Sequence, residues 1–119
     1  MSKIVEAVNK MIENRDKIKE VIPSQDHTEF YFNYGKYKWS IMEIKSDYAL
    51  FLYKDDNLTL DFIANNTDEL LQDGGFIFVS YRTSEIKTRE ATESFSELYN
   101  IVKDRVFGAD DILDSIINS

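Results

Sequence analysis

The chain has one histidine, His27, and no cysteine, so residue type alone excludes a thiolate nucleophile, a disulfide and a Cys-ligated zinc or iron–sulfur centre. A Ser-His-Asp triad or a histidine-based metal site needs a nucleophile or a second ligand near the imidazole. His27 instead falls in the polar stretch from Pro23 to Thr28 and reads as a surface loop residue. Carboxylates are more plentiful. They cluster at Asp55-Asp56, at Asp68-Glu69 and at Asp110-Asp111 with Asp114, and such groups hold calcium or magnesium when their spacing is right. Asp55, Asn57 and Thr59 follow the first half of an EF-hand loop, but Leu60 replaces the sharp-turn glycine and no Glu closes the loop. Glu90, Glu93 and Glu97 share a helical face with no histidine to complete a di-metal pattern. The expectation is solvated acids, with no catalytic residue, no metal and no cofactor.

The cations offer two weaker signals. Arg82, Lys87 and Arg89 form a basic island ahead of a helix, where backbone N–H groups help to hold an anion; salt bridges to nearby acids account for the same residues. No phosphate-binding glycine loop is present, because Gly74-Gly75 stands alone and follows acids rather than a strand. Lys36, Tyr37, Lys38 and Trp39, near Tyr31, Tyr34 and Lys45, interleave basic and aromatic groups as nucleic-acid-binding sheets do. Strand alternation, however, groups Trp39 with Phe30, Phe32 and Ile41 as a core face and turns Tyr31 and Lys38 away. Nucleic acid is therefore an unlikely partner. Asn57-Leu58-Thr59 and Asn65-Asn66-Thr67 match glycosylation sequons, which stay unmodified in a cytoplasmic protein.

The elements that would position these groups come from periodicity. Ile4, Val5, Val8, Met11, Ile12, Ile18 and Ile22 recur at helical spacing, which predicts one helix from Ser2 to Ile22, ended by Pro23. Residues 29–54 are dense in Tyr, Phe, Trp and Ile and read as strands. Tyr34-Gly35-Lys36-Tyr37 predicts a type II′ hairpin that sets Phe32 opposite Trp39 and Phe30 opposite Ile41. A second turn at Ser46-Asp47 returns the chain through Tyr48 to Tyr53, apolar on both faces and so central. Residues 57–72 fit either strand or helix, with a lean to helix capped by Asp56 or Asn57. Phe76 to Tyr81 reads as a strand. Ala91, Phe95, Leu98, Val102 and Val106 make a helical stripe with Thr88 as N-cap and Gly108 as the stop, and a last helix spans Asp110 to Asn118. The expected architecture is α+β: one domain over 1–119, with an antiparallel sheet of about four strands packed by an N-terminal helix and a C-terminal helical segment.

Charge is the strongest remaining guide. The net charge is −8, and it is concentrated: Asp55, Asp56, Asp61, Asp68, Glu69 and Asp73 stand in residues 55–73 with no Lys or Arg among them. Such a surface repels phosphate backbones and anionic membranes and favours basic proteins; solubility alone also accounts for an acidic balance. With no apolar signal core and no long apolar stretch, the chain reads as cytoplasmic. In size, charge and lack of cysteine it is similar in kind to small bacterial immunity proteins, phage-encoded inhibitors and secretion chaperones. The expectation is a non-enzymatic module that binds a basic protein, steered by those six acids and anchored by exposed tyrosines, Tyr31, Tyr37 and Tyr53. The Asp110 to Asn118 helix is a second contact candidate, although docking on its own domain is the simpler expectation. Two other classes stay open: a ligand pocket or modest enzyme using Tyr81, Arg82, Glu85 and Arg89, and a nucleic-acid mimic. Homodimerisation through a sheet edge or an apolar helix stripe stays open as well.

Overall fold

A computed structural model of the chain describes residues 2–54, 58–65, 78–107 and 109–119. Helix α1 covers Lys3–Glu13, with the Ser2 hydroxyl accepting from the Val5 N–H at 3.3 Å as N-cap. Val5, Val8 and Met11 form its buried face. The helix stops at Asn14, nine residues before Pro23. Both the Asn14 N–H and its side-chain amide donate to the Lys10 carbonyl. A short 3₁₀ turn, Arg15–Lys17, then leads into strand β1, Ile18–Pro23. This corrects the expected single helix from Ser2 to Ile22. The β-branched run of Ile18, Val21 and Ile22 satisfies either period, and pairing with the next strand decides it. Arg105, reaching over from the C-terminal helix, donates to the Ile18 carbonyl at 3.0 Å and to the Arg15 carbonyl at 2.7 Å, the latter also accepting the Ile18 N–H that closes the turn. Pro23 ends an outer strand, where its missing N–H costs least.

The sheet has five antiparallel strands in sequence order, one more than expected: β1, β2 (Glu29–Tyr34), β3 (Tyr37–Ile44), β4 (Asp47–Tyr53) and β5 (Phe78–Arg82). The β2–β3 hairpin has the predicted register, with Phe32 opposite Trp39 and Phe30 opposite Ile41. Gly35, at φ 61°, supplies the left-handed residue that a type II′ turn needs first. The β3–β4 turn is Lys45-Ser46, with Lys45 at φ 58°, one residue earlier than predicted. Asp47 belongs to the strand because its carboxylate is engaged elsewhere: Oδ1 accepts from the N–H groups of Tyr48 and Ser84 and from the Thr83 hydroxyl. Between Lys19 and Ile22 the β1–β2 register slips, with Glu20 at φ 55°. This bulge turns Ile18 and Val21 to one face of the sheet and Ile22 to the other.

Both faces are covered. On one, Phe30, Phe32, Trp39, Ile41 and Leu50 pack against Val8 and Met11 of α1 and against Phe95, Leu98 and Val102 of α4 (Arg89–Phe107). Each such side chain stabilises by about 1.5–3 kcal/mol when fully buried. Thr88 caps α4 as predicted, its Oγ1 accepting from the Ala91 N–H at 3.1 Å, and Ser94 donates to Asn9 at 2.6 Å to tie α4 to α1. On the other face, Tyr31 and Tyr53 pack under Leu60 and Ile63 of helix α2, residues 60–65. Thr59 caps α2 by accepting from the Phe62 N–H at 3.1 Å; Asp56 and Asn57, the expected caps, lie outside the described residues. A one-turn helix α3, Thr83–Ile86, joins β5 to α4, and α5, Ala109–Ile117, follows α4.

Candidate functional site

The expected anchors fare differently. Tyr31 and Tyr53 are 2% and 5% exposed, so neither is a surface residue. Alternation does place them on the face opposite Trp39, but α2 covers that face, and a surface role for the pair is corrected to a core role. Their hydroxyls end in a polar chain. Tyr31 donates to Glu29 Oε1 at 3.0 Å, and Ser40 donates to Glu29 Oε2 at 2.7 Å. Because the single Ser40 proton is thus committed, Tyr53 is the donor in its 2.8 Å contact with Ser40 Oγ. Burial raises the Tyr53 pKa well above its ordinary value, and the Glu29 charge adds to the rise. Among the described residues these groups form a hydrogen-bonded core network.

Tyr37 is 52% exposed, at the tip of the β2–β3 hairpin with the Lys36 ammonium 5.5 Å from its ring centroid. Asp61 is exposed on α2. Asp55, Asp56, Asp68, Glu69 and Asp73 lie outside the described residues. Arg82, Lys87 and Arg89 are all exposed, and Arg89 pairs with Glu93 at 2.9 Å on the surface of α4, an ion pair worth at most about 1 kcal/mol. His27 is exposed in the β1–β2 loop at φ 58°.

A concave surface lies elsewhere. An open groove of about 770 Å³ runs between the β3–β4 hairpin and α4. Glu43, Glu93, Glu97 and Asp104 line it, against Arg15 and Lys45. Tyr81, Arg82, Glu85 and Arg89, the residues of the pocket alternative, do not line it. At its wall the Tyr48 hydroxyl donates to Glu43 Oε2 at 3.0 Å and lies 3.2 Å from Ser96 Oγ, bridging sheet to helix. Beside it Tyr99 packs against Tyr48 with ring centroids 5.6 Å apart and planes tilted by 54°, and its pKa is raised by burial first and then by Glu43 and Tyr48. The groove brings carboxylates together with the hydroxyl side chains of Ser46, Tyr48, Thr92 and Ser96. Among the described residues no three His, Asp or Glu side chains are placed to hold a metal ion. What the arrangement can do is attract cationic groups and repel phosphates.

The second unusual surface is α5. Its apolar residues were expected to dock on the domain, but Ile112, Leu113, Ile116 and Ile117 are 58%, 55%, 64% and 77% exposed. Four of the seven large apolar side chains exposed among the described residues therefore belong to this one helix. The stripe was visible in the sequence; its exposure was not, because periodicity identifies an apolar face without saying what covers it. The groove was partly visible, as Glu93 and Glu97 at helical spacing, but nothing in the sequence sets Glu43 opposite them. No protein-family model matches the chain, and no curated protein or solved structure is significantly similar to it.

Proposed function

We propose that this chain is a small, acidic, non-enzymatic protein-binding module of the inhibitor, immunity or chaperone kind, working in the cytoplasm and engaging a basic partner protein. The observation that carries the reading is the open groove in which Glu43, Glu93, Glu97 and Asp104 outnumber Arg15 and Lys45. Its carboxylates stand on two rigid elements, a hairpin and a 19-residue helix, so their field is held in place rather than averaged over mobile loops. A concave surface with an excess of one sign focuses potential and raises the encounter rate with an oppositely charged partner, by up to about 10- to 1,000-fold at low salt where the lining is of one sign throughout. The six acids of residues 55–73 add to the same sign in the sequence. Tyr37, exposed beside Lys36, is the tyrosine of the expected anchor set that is open to contact.

The test begins with co-purification from the native host and mass spectrometry. Association rates for the purified pair are then measured across ionic strength with wild type and with the combined Glu43→Gln, Glu97→Gln, Asp104→Asn variant. Steering by the groove lowers the variant's rate and flattens its salt dependence. An unchanged rate and slope reject it.

A further inference from the structure

We propose that α5 seats in the partner: Ile112, Leu113, Ile116 and Ile117 enter an apolar groove rimmed by Lys and Arg on that protein. The inference rests on the basic-partner reading above but on a separate observation. With about 100° per residue, these four positions fall within roughly 140° of arc on the helix. They present on the order of 400 Å² of apolar surface, within the roughly 300–600 Å² of the largest patch on a soluble monomer, which is often functional. None of the four belongs to either core cluster, and the element packed against α5 is α4. Ile112 with Ile116, Leu113 with Ile117 and Leu113 with Ile116 stand at the i+4 and i+3 spacings by which an amphipathic helix fills a groove.

Charge selects the occupant. From Val106 to Ser119 the sequence holds Asp110, Asp111 and Asp114 and no Lys or Arg. A helix that lies on an anionic bilayer carries cations on its polar side, whereas α5 carries acids, so a membrane is disfavoured. A second α5 would set acids against acids, and about 400 Å² per subunit is only half the roughly 800 Å² of a standard interface. A protein groove with an apolar floor and a cationic rim satisfies both the stripe and the aspartates. The carboxylate groove then governs how fast the partner arrives and α5 how long it stays.

The experiment places the photo-cross-linker p-benzoylphenylalanine at Ile116 of the full chain in native-host lysate and maps the adduct by peptide mass spectrometry. The expected adduct lies on a protein, in an apolar surface bordered by Lys or Arg. With the purified pair, Ile112→Ser combined with Ile117→Ser then weakens binding at least tenfold, mainly through the off-rate, and Asp114→Lys weakens it in a salt-dependent manner. Because these residues are exposed, the variants keep the wild-type circular dichroism and thermal midpoint, which separates lost binding from lost fold. An adduct to a second copy, an adduct to lipid or no adduct overturns the inference. A basic partner whose affinity ignores the α5 changes but falls with Glu97→Gln and Asp104→Asn overturns the α5 role alone. An adduct on a surface without cations overturns both readings.

Discussion

Replacing Tyr53 by Phe should reverse its effect on stability between neutral and alkaline pH. At pH 7 the variant loses the Tyr53 hydrogen bond to Ser40, which costs about 1 kcal/mol. At high pH the sign changes. The ordinary tyrosine pKa of 10.0 holds in the unfolded chain, while in the fold burial and the Glu29 charge raise it. A raised folded value means that the contribution of this group is complete below pH 10 and falls as pH rises, since the unfolded state releases a proton that the fold retains. The loss approaches about 1.4 kcal/mol per pH unit and reaches about 2 kcal/mol at pH 11.5. Tyr53→Phe escapes it, so the two stability curves should cross near about pH 10.6. Urea unfolding followed by Trp39 fluorescence from pH 8 to 11.5 measures this, with Tyr99→Phe as a companion because the Tyr99 pKa is raised too. A wild-type-minus-variant difference that stays constant over the range would refute a desolvated Tyr53 hydroxyl.

Three further outcomes are expected. Arg105→Met leaves the Arg15 and Ile18 carbonyls without their charged donor, and should cost about 1.5–3 kcal/mol in urea unfolding; a loss below about 0.5 kcal/mol means that water replaces the guanidinium without penalty. Trp39 is 8% exposed, and its Nε1–H has no partner among the described residues. Trp39→Phe relieves an unsatisfied buried donor that costs about 1–3 kcal/mol and leaves a cavity costing about 1 kcal/mol, so thermal melts should place it between equal to and about 2 kcal/mol more stable than wild type, against the ~3–5 kcal/mol loss usual for truncating a core aromatic. For Asp47, burial opposes ionisation but the hydrogen bonds from Thr83, Ser84 and Tyr48 outweigh it, and its pKa is lowered. The stabilisation is present above the ordinary value of 3.8 and lost as pH falls through the lower folded value, so Asp47→Asn should show a shallower drop in melting temperature between pH 5 and 2.5; an identical drop contradicts the assignment.

The parts of the fold that were legible in sequence are those where local chemistry leaves one solution. Gly35 between two tyrosines forced the hairpin, and the register of Phe30, Phe32, Trp39 and Ile41 followed by counting. Thr88 and the stripe from Ala91 to Val102 gave α4 with its cap. Legibility failed where a decision is made at a distance. Ile18 and Ile22 carry a helical period, yet β2 and Arg105 draw them into a strand. Tyr31 was placed on the correct face, and only the packing of α2 determines that it and Tyr53 are buried there. The same holds for function: the acids of α4 were plain in the sequence, while their meeting with Glu43 depends on how the β3–β4 hairpin leans against the helix.

The slip in register at Glu20 bears on how the protein resists aggregation. β1 is an outer strand, and an outer strand with unbroken spacing offers neighbouring chains a row of free N–H and C=O groups on which to extend the sheet. The extra residue interrupts that row in the middle and twists it, and Pro23 removes a donor at the far end. Shortening the chain by one residue at this point would restore a straight template, with Val21 opposite Phe32 and Ile22 still opposite Tyr31. One left-handed glutamate thus keeps a six-residue strand inside its own molecule.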